Sequence, residues 1–119
     1  LCLHTGNGNE LALLGFDNGD LARLFVNTGG VTQANATVAG ATSVGVAYKV
    51  AGRVSTNDMI AARGGALSTQ DTSCTTPSQP TTIQFGAQNG GGSPFSGYLR
   101  RMAIFQGSKS DAELQAMTT

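Results

Sequence analysis

Residues able to carry chemistry are few in this 119-residue chain, and their spacing decides what they could do. The glutamates are Glu10 and Glu113, the single histidine is His4, and the cysteines are Cys2 and Cys74. Glycoside hydrolysis needs two carboxyl groups held about 5–10 Å apart across a sugar. Sandwich enzymes commonly draw them from one strand, in an E-x-D-x-x-E pattern. Here Glu10 falls at the start of an expected strand and Glu113 in an expected helix cap, and no strand carries acids at alternate positions. A Ser/His/Asp relay would have to use His4, and G-x-S-x-G is absent. One histidine and no C-x-x-C leave no zinc site. The chain is therefore expected not to be an enzyme, with His4 an ordinary strand side chain.

Two turns and one loop offer oxygen atoms instead. "FDNGD" gathers Asp17, Asn18 and Asp20, and calcium favours such ligands, although the pattern is not an EF-hand. Asn18-Gly19 is also the strongest short hairpin signal, which accounts for the same residues without a metal. Sugar binding would draw on Asn57 and Asp58 in "TND" and on Gln88 and Asn89 ahead of "GGGS". It would also want an aromatic platform. The chain has no Trp, and Tyr48 and Tyr98 both fall in strand patterns where packing is the expected role. No cofactor is called for, with calcium the one option. Turn chemistry covers most of these residues.

The elements that must position them read as short strands. Seventeen glycines and three prolines punctuate a chain that is 39% apolar and only 12% charged, with formal net charge +0. That balance argues against nucleic acid and against an anionic membrane as partners. "ELALLGF" (10–16) and "DLARLFVN" (20–27) flank the Asn18-Gly19 turn. A helix over 10–25 is the rival reading, and Gly15 and Gly19 speak against it. "VTQANATV" (31–38) alternates. "GVAYKVAGRVS" (45–55) places Val46, Tyr48, Val50 and Val54 on one face, and "MIAARGG" (59–65) returns as its partner across "TND". "TTIQFGA" (81–87) is a further strand. "FSGYLRRMAIF" is expected to be the last one, with a bulge at Arg100–Arg101 resetting its phase or with both faces covered. Then Ser110, with Glu113 three residues on, forms a capping box for a two-turn helix bearing Leu114 and Met117. The sum is an all-β, antiparallel β-sandwich with one short C-terminal α-helix as a structural lid.

The order "VAYKVAGRVSTNDMIAARGGALSTQDTS", "TTIQFGA", "FSGYLRRMAIFQGSKSDAELQAM" resembles the concanavalin A-like, laminin-G-like jelly-roll modules of bacteriophage virion proteins. The family pattern ends a strand at Phe85-Gly86. It then runs F-x-G-x-[IL]-R-R-[IM]-A-[IY] through Phe95, Gly97, Leu99, Arg100, Arg101, Met102 and Ala103, and closes on Ala112-Glu113-Leu114 in a polar-capped helix. The likeness covers residues 40–119, and residues 1–39 share only the strand pattern. It implies a fibre, spike or capsid-decoration module in the virion. Its partners would be copies of itself, commonly as a homotrimer, other virion proteins and a host-surface glycan. Its alternative use is as a calcium-dependent carbohydrate-binding module. The chain is shorter than a complete module of this kind and opens inside a strand. We therefore expect it to be the C-terminal part of a longer polypeptide, with Cys2 and Cys74 buried as free thiols.

Overall fold

In the computed structural model, residues 1–6, 9–16, 20–87 and 96–119 are described. The Asn18-Gly19 turn, the Gln88–Asn89 loop and Phe95 lie outside them.

Strand β1 (Cys2–His4) pairs with β2 (Leu11–Phe16), which pairs with β3 (Ala22–Thr28), which pairs with β4 (Val31–Val38). β3 and β4 are joined by Gly29-Gly30, both at positive φ, as a two-residue hairpin turn of the twisted kind requires. On the second sheet β5 (Val50–Ser55) and β6 (Asp58–Arg63) meet across Thr56-Asn57, with Asn57 at φ 57, and β7 (Ala66–Leu67) follows. β8 (Thr82–Gln84) then returns to the outer edge of β1. The sheet orders are β4-β3-β2-β1-β8 and β5-β6-β7, antiparallel throughout.

Period-two alternation explains the packing. Ala22, Leu24 and Val26 of β3, with Ala34, Ala36 and Val38 of β4, point inward and are buried against Met59 and Ala61 of β6. Gly52 lets β5 come close: a Cβ there would lie 3.4 Å from methyl carbons of both Leu14 and Leu24. The other face of β6 carries Ile60 and Ala62, which form a second cluster with Leu114 of α1 (Asp111–Thr118). The helix is thus the third layer over the smaller sheet.

The capping box forms as the sequence predicts. The Glu113 amide donates to Ser110 Oγ at 3.3 Å, and the Ser110 amide donates to Glu113 Oε2 at 2.8 Å. Those bonds, with the Lys109 ammonium at 3.0 Å, hold the Glu113 carboxyl down at about 2. A carboxyl whose pKa is lowered on folding stabilises the fold above its unfolded value and loses that contribution as pH falls towards the folded value. Helicity measured by circular dichroism is accordingly expected to decline as pH drops from about 4.5 towards 2. Ser110→Ala should lower stability by about 1 kcal/mol in urea unfolding at pH 7.

Three expected strands differ, and the one over 81–87 keeps only Thr82–Gln84. The strand over 45–55 begins only at Val50, because Gly45 at φ 82 turns the chain and Tyr48 accepts a hydrogen bond from the Ser43 amide at 2.7 Å. Val46 is exposed as a result. The strand expected over "FSGYLRRMAIF" is absent from its described part, residues 96–105, and so is its bulge at Arg100–Arg101. A segment becomes a strand only by pairing, and residues 96–105 pair with no strand among the described residues. Tyr98, expected to pack, is 97% exposed. Cys2 and Cys74 are both buried and free.

Candidate functional site

The two sheets are unequal, and their mismatch leaves a broad concave surface. β5 lies over β2, and β6 over β3 and β4. β1 and β8 extend past the smaller sheet, which leaves Ile83 and Phe85 about half exposed. The free edge of β5 faces this gap. The resulting cleft has a volume of about 2340 Å³, with Leu3 and Leu14 on one wall and Val50 and Val54 on the other. Along its mouth runs the strap Tyr98–Phe105, whose Leu99, Ile104 and Phe105 are each more than half exposed. Pockets for drug-sized ligands span about 300–1,000 Å³, well below the size of this opening.

Four of the cations lining the cleft are already held. Arg23 Nε donates to Asn35 Oδ1 at 2.7 Å, Lys49 Nζ donates to the Thr119 carbonyl, and Lys109 pairs with Glu113. Arg53, buried, is the hub: Nη1 donates to the Lys109 carbonyl and to Asp111 Oδ1, both at 2.7 Å, and Nη2 donates to Asp58 Oδ1 at 2.6 Å. It ties the β5–β6 hairpin to the start of α1. Arg100 and Arg101 are exposed.

The residues singled out for sugar and calcium are not gathered in one place. Asn57 spends its side-chain oxygen on the Cys74 amide at 3.2 Å, and its own amide donates to the Cys74 carbonyl at 2.8 Å. Asp58 accepts from Arg53 and, at 2.8 Å, from Gln70 Nε2; the Arg53 bond holds its carboxyl below the usual range. Gln88 and Asn89, like Asp17 and Asn18, lie outside the described residues. Asp20 stands at the far end of β6, near Arg63 and about 17 Å of strand from Asp58. Its carboxylate accepts from the Thr42 hydroxyl and its carbonyl accepts from Arg63 Nη1 at 2.6 Å. Among the described residues, no three His, Cys, Asp or Glu side chains come together to hold a metal ion.

Glu10 is likewise engaged within the fold. Glu10 staples two loops to β2, accepting from the Gly29 amide at 2.6 Å and the Ser78 amide at 2.7 Å, and these bonds hold its carboxyl low. His4 Nδ1 accepts from the Gly6 amide at 2.9 Å inside the N-terminal turn. Burial, with Asp71 nearby, pushes the Cys74 thiol up and makes it a poor nucleophile. A smaller hollow of about 320 Å³ is lined by Asn35, Ala36, Thr69, Gln70, Asp71 and Thr72, with no aromatic ring on which a sugar could stack.

Sequence reasoning missed the cleft and the two buried arginines, Arg53 and Arg63. A usable signal existed for the arginines: each sits in a short apolar strand, where burial demands several acceptors at once. The cleft had none, since it follows from how many strands each sheet acquires. No protein-family model, curated protein or solved structure matches the chain.

Proposed function

We propose that the chain is a non-catalytic bacteriophage virion module: a concanavalin A-like jelly-roll sandwich of a fibre, spike or capsid-decoration protein. It acts by packing against copies of itself, most simply as a homotrimer, and attaches either to neighbouring virion proteins or to a host surface glycan. The observation that carries the self-packing is the apolar cleft together with its exposed strap. Soluble monomers rarely leave contiguous apolar surface of this extent in water, and such surface marks a place where another chain sits. The two antiparallel sheets and the capped "AEL" helix support the family reading. The engagement of Glu10, Asp58 and Glu113 in staples, hub and cap supports a non-catalytic role.

Light scattering across a protein dilution series, with calcium and with chelator, tests the proposal. A defined oligomer, a trimer foremost, with the same mass under both conditions is the expected result. A monomer at all concentrations that melts at a higher temperature with calcium would overturn it in favour of a calcium-dependent carbohydrate-binding module.

A further inference from the structure

The single chain leaves two complementary things unsatisfied. One is the outer edge of β5, six residues or about 20 Å of backbone donors and acceptors that no strand among the described residues takes up. The other is the strap Tyr98–Phe105, eight residues outside any strand. Its side chains alternate in the way a doubly covered strand demands. Tyr98, Met102 and Ile104 fall on one phase, and Leu99, Ala103 and Phe105 on the other, with one arginine in each. The gap beside β5 offers two such coverings. The inner face of β1 presents Leu3, Phe85 follows directly after β8, and α1 presents the half-buried Met117.

We infer that the strap of a second copy of this chain enters the cleft as an added strand on the free edge of β5. Each copy gives its strap to the next and receives one. This rests on the self-packing reading above and names the surface that it uses. Strand addition supplies main-chain hydrogen bonds, while the alternating side chains fill the two faces. A contact in which different surfaces meet is head-to-tail, and it closes into a ring when the rotation between copies allows, as three copies permit. Arg100 and Arg101 reach past the apolar faces on long stems with their charges at the rim. The mass of the ring is then coupled to the order of one eight-residue segment.

Hydrogen exchange of the whole chain, followed over a dilution series with the oligomeric mass measured alongside, tests the inference. Amides of residues 50–55 and 98–105 are expected to gain protection together, and in step with association. Ala103→Pro removes a ladder donor at an exposed position outside any strand, so it leaves the isolated fold intact. It is expected to weaken association at least about tenfold, with the melting of the dilute protein unchanged. Association without protection of 98–105, or association indifferent to Ala103→Pro, would overturn strap exchange and leave self-packing standing. Protection of 98–105 in a monomer, equal at every concentration, would show the strap closing in its own cleft and would overturn both readings.

Discussion

Arg63→Ala is expected to lower the unfolding free energy by about 3 kcal/mol, a large part of the 5–15 kcal/mol typical of a domain. Arg63 is 7% exposed and its guanidinium reaches three carbonyls: Nη1 donates to those of Asp20, at 2.6 Å, and of Gly40, and Nη2 to that of Ala41 at 2.7 Å. It also lies 5.1 Å from the centre of the Phe16 ring and 4.9 Å from that of Tyr48, which themselves meet edge to face at 6.1 Å. One side chain therefore fastens the chain segments before β3 and after β4 to the end of β6. Each charged hydrogen bond contributes about 1.5–3 kcal/mol. The sum is reduced because Asp20, Gly40 and Ala41 are at exposed positions, where water can replace the donor. Gly40 is part of the same device, since a Cβ there would sit 3.0 Å from the Arg63 Cζ. Arg63→Lys should recover less than half of the loss, because an ammonium cannot span three acceptors set out for a planar fork. Urea unfolding of the three proteins at equal m-value measures it.

Arg53→Met should cost about 2 kcal/mol and change the acid limb of stability as well. Its side chain is 8% exposed, whereas Asp58 and Asp111 are 28% and 52% exposed, so both carboxylates can fall back on water once the arginine is gone. The price is therefore below that of breaking a fully buried pair. Arg53 holds the Asp58 carboxyl below its ordinary 3.8. Its contribution is present above that value and is lost as pH falls through the folded pKa. Without Arg53, the stability lost to Asp58 protonation should shrink, and the curve below about pH 4 should flatten. A neutral-pH loss with an unchanged acid slope would mean that Arg53 acts by packing alone. Exchange of the α1 amides should accelerate in the variant, since the helix keeps Leu114 but loses its anchor at Lys109 and Asp111.

What could be read from the sequence was local. β2, β3, β4, the Thr56-Asn57 hairpin and the Ser110 cap all rest on alternation, turn residues or a four-residue motif, and each stands where the pattern places it. What could not be read was who pairs with whom. "FSGYLRRMAIF" has the alternation of a strand, and pattern alone cannot show whether an edge is there to receive it. The same holds for Arg63, whose acceptors lie 22, 23 and 43 residues upstream in loops of no distinctive composition. Of the candidate ligands, Asn57 and Asp58 were singled out for their chemistry, and the structure turns that chemistry inward: on a turn, good hydrogen-bonding groups serve the turn first.

The two cysteines divide the sandwich between them. Cys74 belongs to the cluster between the sheets, beside Met59, while the register of β1 sets Cys2 on the opposite side from Leu3, away from the smaller sheet. Both are reduced and shielded, so a thiol reagent must wait for a different opening event at each. Loosening of the three-residue β1 exposes the first; parting of the layers exposes the second. The native protein thus carries two chemical clocks, one timing the fraying of its first strand and one timing the separation of its halves.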